Sequence, residues 1–150
     1  MTPRQIESAL AHAQRICTLR GARLTPVRRR VLELILRADQ PMGAYAVLAE
    51  MQRGRGKVGP PTVYRALDFL IAHKLVHKVE TSSAFVACND VEHPHESQFM
   101  ICEDCGVTEE IRDDEIVQSL RRLGEGRGFI VERQIVEARG RCPACRSARG

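Results

Sequence analysis

Pro60-Pro61-Thr62-Val63-Tyr64-Arg65-Ala66-Leu67-Asp68-Phe69-Leu70, followed by Leu75-Val76-His77-Lys78-Val79-Glu80 and Ala84-Phe85-Val86-Ala87-Cys88, decides the fold of the front half of this chain. Val63, Ala66, Leu67, Leu70 and Ile71 recur at helical spacing and predict a helix over 61–72. Tyr64, Arg65 and Asp68 lie off that apolar stripe. The two later runs read as strands, joined by the polar turn Thr81-Ser82-Ser83.

Upstream, the glycines and charges of Arg53-Gly54-Arg55-Gly56-Lys57-Val58-Gly59 mark a loop. Gly43-Ala44-Tyr45 opens a short helix with Val47, Leu48 and Met51 facing inward. A longer helix starts at Thr25-Pro26, with Val27, Val31, Leu34 and Ile35 as its stripe. Arg28, Arg29 and Arg30 near its start oppose the helix dipole, so either a phosphate backbone compensates them or exposed arginines are tolerated there. The first helix has a capping box, with Thr2 as cap, Pro3 at the first position and Gln5 three residues on. Ile6, Leu10, Ala13 and Cys17 follow at helical spacing, Cys17 as a packing residue, and Gly21 supplies the stop. His12 and His73 read as ordinary helix residues without obvious partners. Helix, helix, short helix, longer helix and hairpin is the order of a winged helix-turn-helix, with 61–72 in the position that enters the major groove.

Downstream, residues 89–96 are polar, carry Pro94 between His93 and His95, and read as a hinge. Strands are expected at 98–101 and 107–111, and a helix at 113–123, where Ile116, Val117, Leu120 and Leu123 repeat behind Asp113 and Asp114. Gly124-Glu125-Gly126-Arg127-Gly128 should break it, 129–138 should form a last strand, and the Gly- and Arg-rich tail should be mobile. The expected organisation is a winged-helix domain over 1–88, a hinge over 89–96 and a small α/β domain over 97–150, an α+β chain overall. The second domain is too small to bury a generous core. It calls for a metal, disulfides or a partner chain.

Composition narrows the function classes. The 150 residues are 43% hydrophobic and 28% charged, which is ordinary for a globular protein. Aromatics make up only 4%, too few for a base-stacking platform. No apolar stretch approaches a membrane span, and the start lacks a basic segment followed by an apolar core, so a cytoplasmic protein is expected. Residues 1–92 carry 14 basic and 8 acidic side chains, a net +6, while 93–150 carry a net −2. A basic front half suits a polyanionic partner.

Six cysteines occur, and four of them form Cys102-Glu103-Asp104-Cys105 and Cys142-Pro143-Ala144-Cys145. Two such knuckles can close a tetrahedral thiolate shell around zinc with no position left for water, a structural rather than a catalytic site. A looser set gathers near the hinge: His77, Cys88, His93, His95 and the neighbours Glu109 and Glu110. Its spacing is irregular, and it reads either as a zinc site or as a hairpin histidine, a buried cysteine and two exposed histidines.

Arg23-Leu24-Thr25-Pro26-Val27-Arg28, Pro61-Thr62-Val63-Tyr64-Arg65-Ala66-Leu67, the histidine and cysteine order after the hairpin and both Cys-x-x-Cys pairs resemble the ferric uptake regulator family. Pro60 through Leu70 with His77-Lys78-Val79-Glu80 and Cys88 is similar to its zinc uptake regulator branch. The resemblance runs in register over residues 3–146. It implies a homodimeric, metal-dependent repressor of zinc-uptake genes, with an N-terminal winged helix and a C-terminal dimerisation domain. It implies two zinc ions per chain, a structural one on Cys102, Cys105, Cys142 and Cys145 and a regulatory one on His77, Cys88, His95 and Glu110. Glu109 is the fallback carboxylate, because neighbours on a strand point to opposite faces. His93 serves a further site or none. The Cys88 thiolate is softer than the donors of iron-sensing relatives and favours zinc. A zinc shared by the wing and the dimerisation half would set the angle between them and couple zinc binding to DNA binding.

On DNA, Arg65 is the expected base-edge reader, pairing with guanine. Tyr45 and Tyr64 match contact tyrosines of the family, and Arg23 and Arg28 are expected on phosphates. The partners expected are double-stranded operator DNA and a second copy, with no membrane and no small-molecule substrate. Three rivals remain. One is a sibling regulator sensing iron, manganese, nickel or peroxide. Another is a thiol–disulfide protein cycling its Cys-x-x-Cys pairs, which would want one exposed, low-pKa cysteine beside a βαβ unit. The third is a zinc-stabilised interaction module that binds no DNA. No nucleophile–base arrangement stands out, so catalysis is not expected.

Overall fold

Both Thr-Pro helix starts fold as their caps require. Thr2 accepts from the Gln5 amide at 3.3 Å while the Gln5 side chain accepts from the Thr2 amide at 2.8 Å, and α1 runs over Pro3–Leu19. Gly21, at φ +67°, takes the left-handed turn that follows it. Thr25 caps α2 (Pro26–Arg37). The computed structural model describes residues 1–54, 57–93 and 95–148. Arg55 and Gly56 of the expected loop, Pro94 of the expected hinge and Arg149 and Gly150 of the tail lie outside the described residues. The chain divides into two units, Met1–His93 and Pro94–Gly150.

In the first unit α3 (Ala44–Arg53) and α4 (Pro60–Ala72) follow α2. Leu10, Cys17, Val31, Ile35, Val47, Val63, Leu67 and Leu70 pack into one buried core. Strands β2 (Val76–Val79) and β3 (Ala84–Ala87) pair antiparallel, with Ser83 at φ +51° in their turn. A two-residue strand β1 (Met42–Gly43) lies on the far side of β3, giving the order β1-β3-β2. Two residues are too few to carry a periodicity, so pattern reading passes over it. Three helices with a packed fourth and a three-stranded wing make this unit a winged helix-turn-helix.

The arginines at the start of α2 are compensated within the unit. Arg29 reaches Glu7 at 2.7 Å, and Arg30 reaches Glu33 at 2.9 Å. Glu33 also takes Arg37, whose hydrogen bond, with that of Arg30, holds its carboxyl below the usual carboxylate range. Arg28 stacks on Phe69 instead. His12 and His73 do have partners: His12 lies 3.3 Å from Glu92, and the His73 ring stands 4.2 Å from that of Phe69.

The second unit is a three-stranded sheet in the order β5-β4-β6. β4 (Ser97–Cys102) pairs antiparallel with β5 (Thr108–Ile111) and parallel with β6 (Ile135–Gly140). A parallel neighbour needs a crossover, and α5 (Asp114–Glu125), capped by Asp113, supplies it. The helix does not break at Gly124, as expected from the glycines, but runs through it. A Cβ there would meet Val131 Cγ2 at 2.6 Å, so the glycine serves close approach of the returning chain. The last strand is also shorter than the expected 129–138. Its ladder begins only where Ile135 meets Ser97, and the Gln134 amide donates to Glu96 at 3.2 Å before it. A short helix α6 (Pro143–Ser147) then occupies much of the expected mobile tail.

Few side chains are buried here. Among the described residues of this unit they are Gln98, Phe99, Cys102 and Gln134. The stripe of α5 buries none, and Leu123, Phe129 and Ile130 stay exposed. Among the described residues no helix is long and apolar enough to cross a membrane.

Candidate metal centres and nucleic-acid interface

The parallel pairing of β4 and β6 brings the two knuckles together. Both strands end at the same edge of the sheet, where Cys102 stands opposite Gly140. The first knuckle turns immediately after β4: the Gly106 amide donates to the Cys102 carbonyl at 2.9 Å, and Gly106 adopts φ +76°. The second follows β6 by two residues, with Cys142 capping α6. Ligand atoms of Cys102, Cys105, Cys142 and Cys145 all lie within 4.8 Å of one another. Cys105 and Cys142 have their sulfurs 3.8 Å apart. A tetrahedron with zinc–sulfur bonds of about 2.3 Å has edges of about 3.8 Å, so the spacing fits a zinc ion. All six cysteines are free thiols.

Backbone amides begin the work of ionising this cluster. The Cys142 amide lies 3.3 Å from the Cys102 sulfur. That bond, with others from the Cys105 and Asp104 amides, holds the Cys102 thiol down at about 6. Cys145 is pushed up to about 12, first by its hydrogen bonds to Cys142 and Cys105, since crowded thiols without a cation resist sharing negative charge. Near neutral pH, zinc loading must therefore displace a proton from Cys145 while Cys102 is already a thiolate. Protons compete with the metal, so the apparent zinc affinity should climb from about pH 6 to about pH 8. Chelator competition across that range checks this, and a flat profile would contradict it.

The hinge-region residues divide between the units. In the first, His77 stands opposite Val86 in the β2–β3 ladder and is buried. The Cys88 amide extends that ladder by donating to the Leu75 carbonyl at 3.0 Å. Continuing the register puts Cys88 on one pleat face with Val86 and His77, and makes it the diagonal neighbour of His77. In the second unit His95 Nε2 lies 2.8 Å from Glu110 Oε1, both side chains largely buried. Glu110 stands opposite the buried Phe99, whereas Glu109 stands opposite the exposed Met100. The pleat thus turns Glu110, not Glu109, to the covered face with His95. His93 is exposed, and its Nδ1 lies 3.0 Å from Asp90.

On α4, Arg65 and Tyr64 are exposed, and Tyr45 at the start of α3 is 77% exposed. Arg23 is exposed just before α2. Arg28 is half-buried, with its guanidinium carbon 3.6 Å from the centre of the Phe69 ring and Nη1 donating to the Arg23 carbonyl at 2.7 Å. Sequence reading passed over Phe69. Its signal was its position, one helical turn beyond Arg65 on the same row.

Residues 19–138 match the ferric uptake regulator family. The chain belongs to that family. Among its relatives, the zinc uptake regulation protein of Escherichia coli K12 is 38% identical over 140 residues, covering 93% of this chain and 82% of that protein. A solved zinc uptake regulator complexed with zinc and DNA superposes with a TM-score of 0.93 at 36% identity, covering 99% of both chains. The crystal structure of holo XcZur gives 0.87 at 40% identity, covering 93% of this chain and 98% of that one. As a member of the ferric uptake regulator family, the chain is a transcription regulator by descent, and thiol–disulfide cycling finds no support among these relatives.

Proposed function

We propose that this protein is a zinc-responsive repressor that binds operator DNA as a homodimer and shuts off zinc-uptake genes in the cytoplasm. The observation that carries the reading is its end-to-end likeness to the regulator solved with zinc and DNA. In this reading α4 enters the major groove, with Arg65 on a guanine edge and Tyr64 and Tyr45 on neighbouring bases or backbone. Arg23 contacts phosphate and contributes affinity rather than specificity. The second copy covers the apolar surface left by Leu123, Phe129 and Ile130, which are exposed in the single chain.

Two zinc ions per chain are part of the proposal. Cys102, Cys105, Cys142 and Cys145 would hold the structural one. His77, Cys88, His95 and Glu110 would hold the regulatory one, a thiolate, two imidazoles and a carboxylate suited to tetrahedral zinc. When bound there, zinc supplies a rigid cross-link between donors. His77 and Cys88 are carried by the wing, and His95 and Glu110 by the second unit, so filling this set would restrict the angle between the units. Zinc and DNA must then favour one another by the same factor.

The test is fluorescence anisotropy on a duplex that the zinc-loaded chain selects from a randomised pool, across buffered free zinc, with iron and manganese series alongside. Tight binding that switches on with scarce free zinc alone is the expected result. Binding that follows iron or manganese instead would move the protein to a sibling sensor of the same family.

A further inference from the structure

Arg28 ends the family-like motif in the first turn of α2, and its guanidinium is engaged within the unit. Its central carbon sits over Phe69, 3.6 Å from the ring centre, and it donates to the Arg23 carbonyl at 2.7 Å. Its own amide donates to the Thr25 cap at 3.5 Å. One side chain thus ties the turn that starts α2 to the half-buried flank of α4. Phe69 is further backed by His73, whose ring stands 4.2 Å away, and the His73 carbonyl accepts from Arg20 at the end of α1.

We infer that Arg28 is a positioning residue for the base-reading arginine: by clamping Phe69 it sets the rotation of α4 about its axis, and so the aim of Arg65. The inference rests on the DNA-binding reading above. Arg65 and Phe69 are four residues apart and share one row of the helix, so a restraint on one fixes the direction of the other. Recognition geometry tolerates only about 0.5 Å and 10–20° of error, which makes a lock one turn from the reading residue effective. The core side of α4 is held by Val63, Leu67 and Leu70. Phe69 is half-buried and packs at the margin of that core, so Arg28 adds a restraint on the flank of the helix next to Arg65. Lysine cannot replace it, since the contact needs a planar group that stacks and donates at once.

This role separates from a phosphate contact in its salt dependence. A residue that neutralises one phosphate lowers the slope of log affinity against log salt by about 0.9 when it is removed. Arg28→Lys and Phe69→Leu should each weaken binding of the selected duplex roughly tenfold, the strength of a well-placed cation–π contact, and leave that slope unchanged. Both should also lose discrimination against a duplex altered at the base read by Arg65. Simple unfolding would lower affinity for every duplex alike. The double variant should be little worse than either single one, because both remove the same clamp. Arg23→Ala serves as the contrast, lowering the slope without altering discrimination. Wild-type binding and discrimination retained by Arg28→Lys, or a slope lowered in Arg28→Ala by one phosphate, overturns the inference while the repressor reading stands. A wild-type chain that selects no duplex overturns both.

Discussion

Cys142→Ser is expected to unfold the second unit while the first stays folded. The side chains buried among the described residues there are one phenylalanine, one cysteine and two glutamines, and α5 buries nothing. Such a core falls well short of the ordering cost of a unit this size. Zinc binding to structural thiolate sites is worth about 10–16 kcal/mol near neutral pH, comparable to the whole stability of a typical domain. Cys142 also organises the site before metal arrives: its sulfur caps α6 and its amide stabilises the Cys102 thiolate. Hydrogen exchange read by mass spectrometry should show residues 95–148 losing protection, together with loss of tightly held zinc. Residues 1–93 should keep theirs, because the core of Leu10, Val31, Val47, Leu67 and Leu70 is their own. Undiminished protection of the second unit in Cys142→Ser would show that the sheet stands without the metal.

Cys88→Ser is expected to leave the fold and the structural zinc intact and to abolish zinc control of DNA binding. Serine matches the thiol in shape but brings no thiolate, and a neutral hydroxyl is a poor zinc donor. The proposed coupling between zinc and DNA, typically 5- to 150-fold in allosteric proteins, should collapse toward one. The measurement is DNA affinity with and without buffered free zinc, alongside zinc content. One tightly held zinc and a flat affinity are expected. An unchanged zinc response would remove Cys88 from the regulatory set and with it the switch proposed for the hinge. Weak binding with zinc content also lost would instead mean that Cys88 matters to folding.

Local chemistry was legible from the chain. The caps at Thr2 and Thr25, the stripes of α1, α2 and α4 and the turn between β2 and β3 depend on residues within a turn or two of one another. The same holds for the two Cys-x-x-Cys spacings. The glycine run at 124–128 misled, because glycine is read as a breaker. Here it marks contact with Val131, which no local pattern reveals.

The residues alone therefore determined the helix starts, the order of a winged helix, the knuckles and the donor types, since each is set by short-range backbone sterics or side-chain chemistry. Only the tertiary structure decided how the knuckles meet, which glutamate faces His95 and where Arg28 points. Cys102 and Cys142 are joined by parallel pairing across an intervening helix. Glu110 is selected over Glu109 by the pleat register against Phe99. Arg28 finds an aromatic ring 41 positions later instead of solvent. These are pairings between distant segments, fixed by which surfaces pack and in what register. A neighbour-by-neighbour pattern cannot encode that.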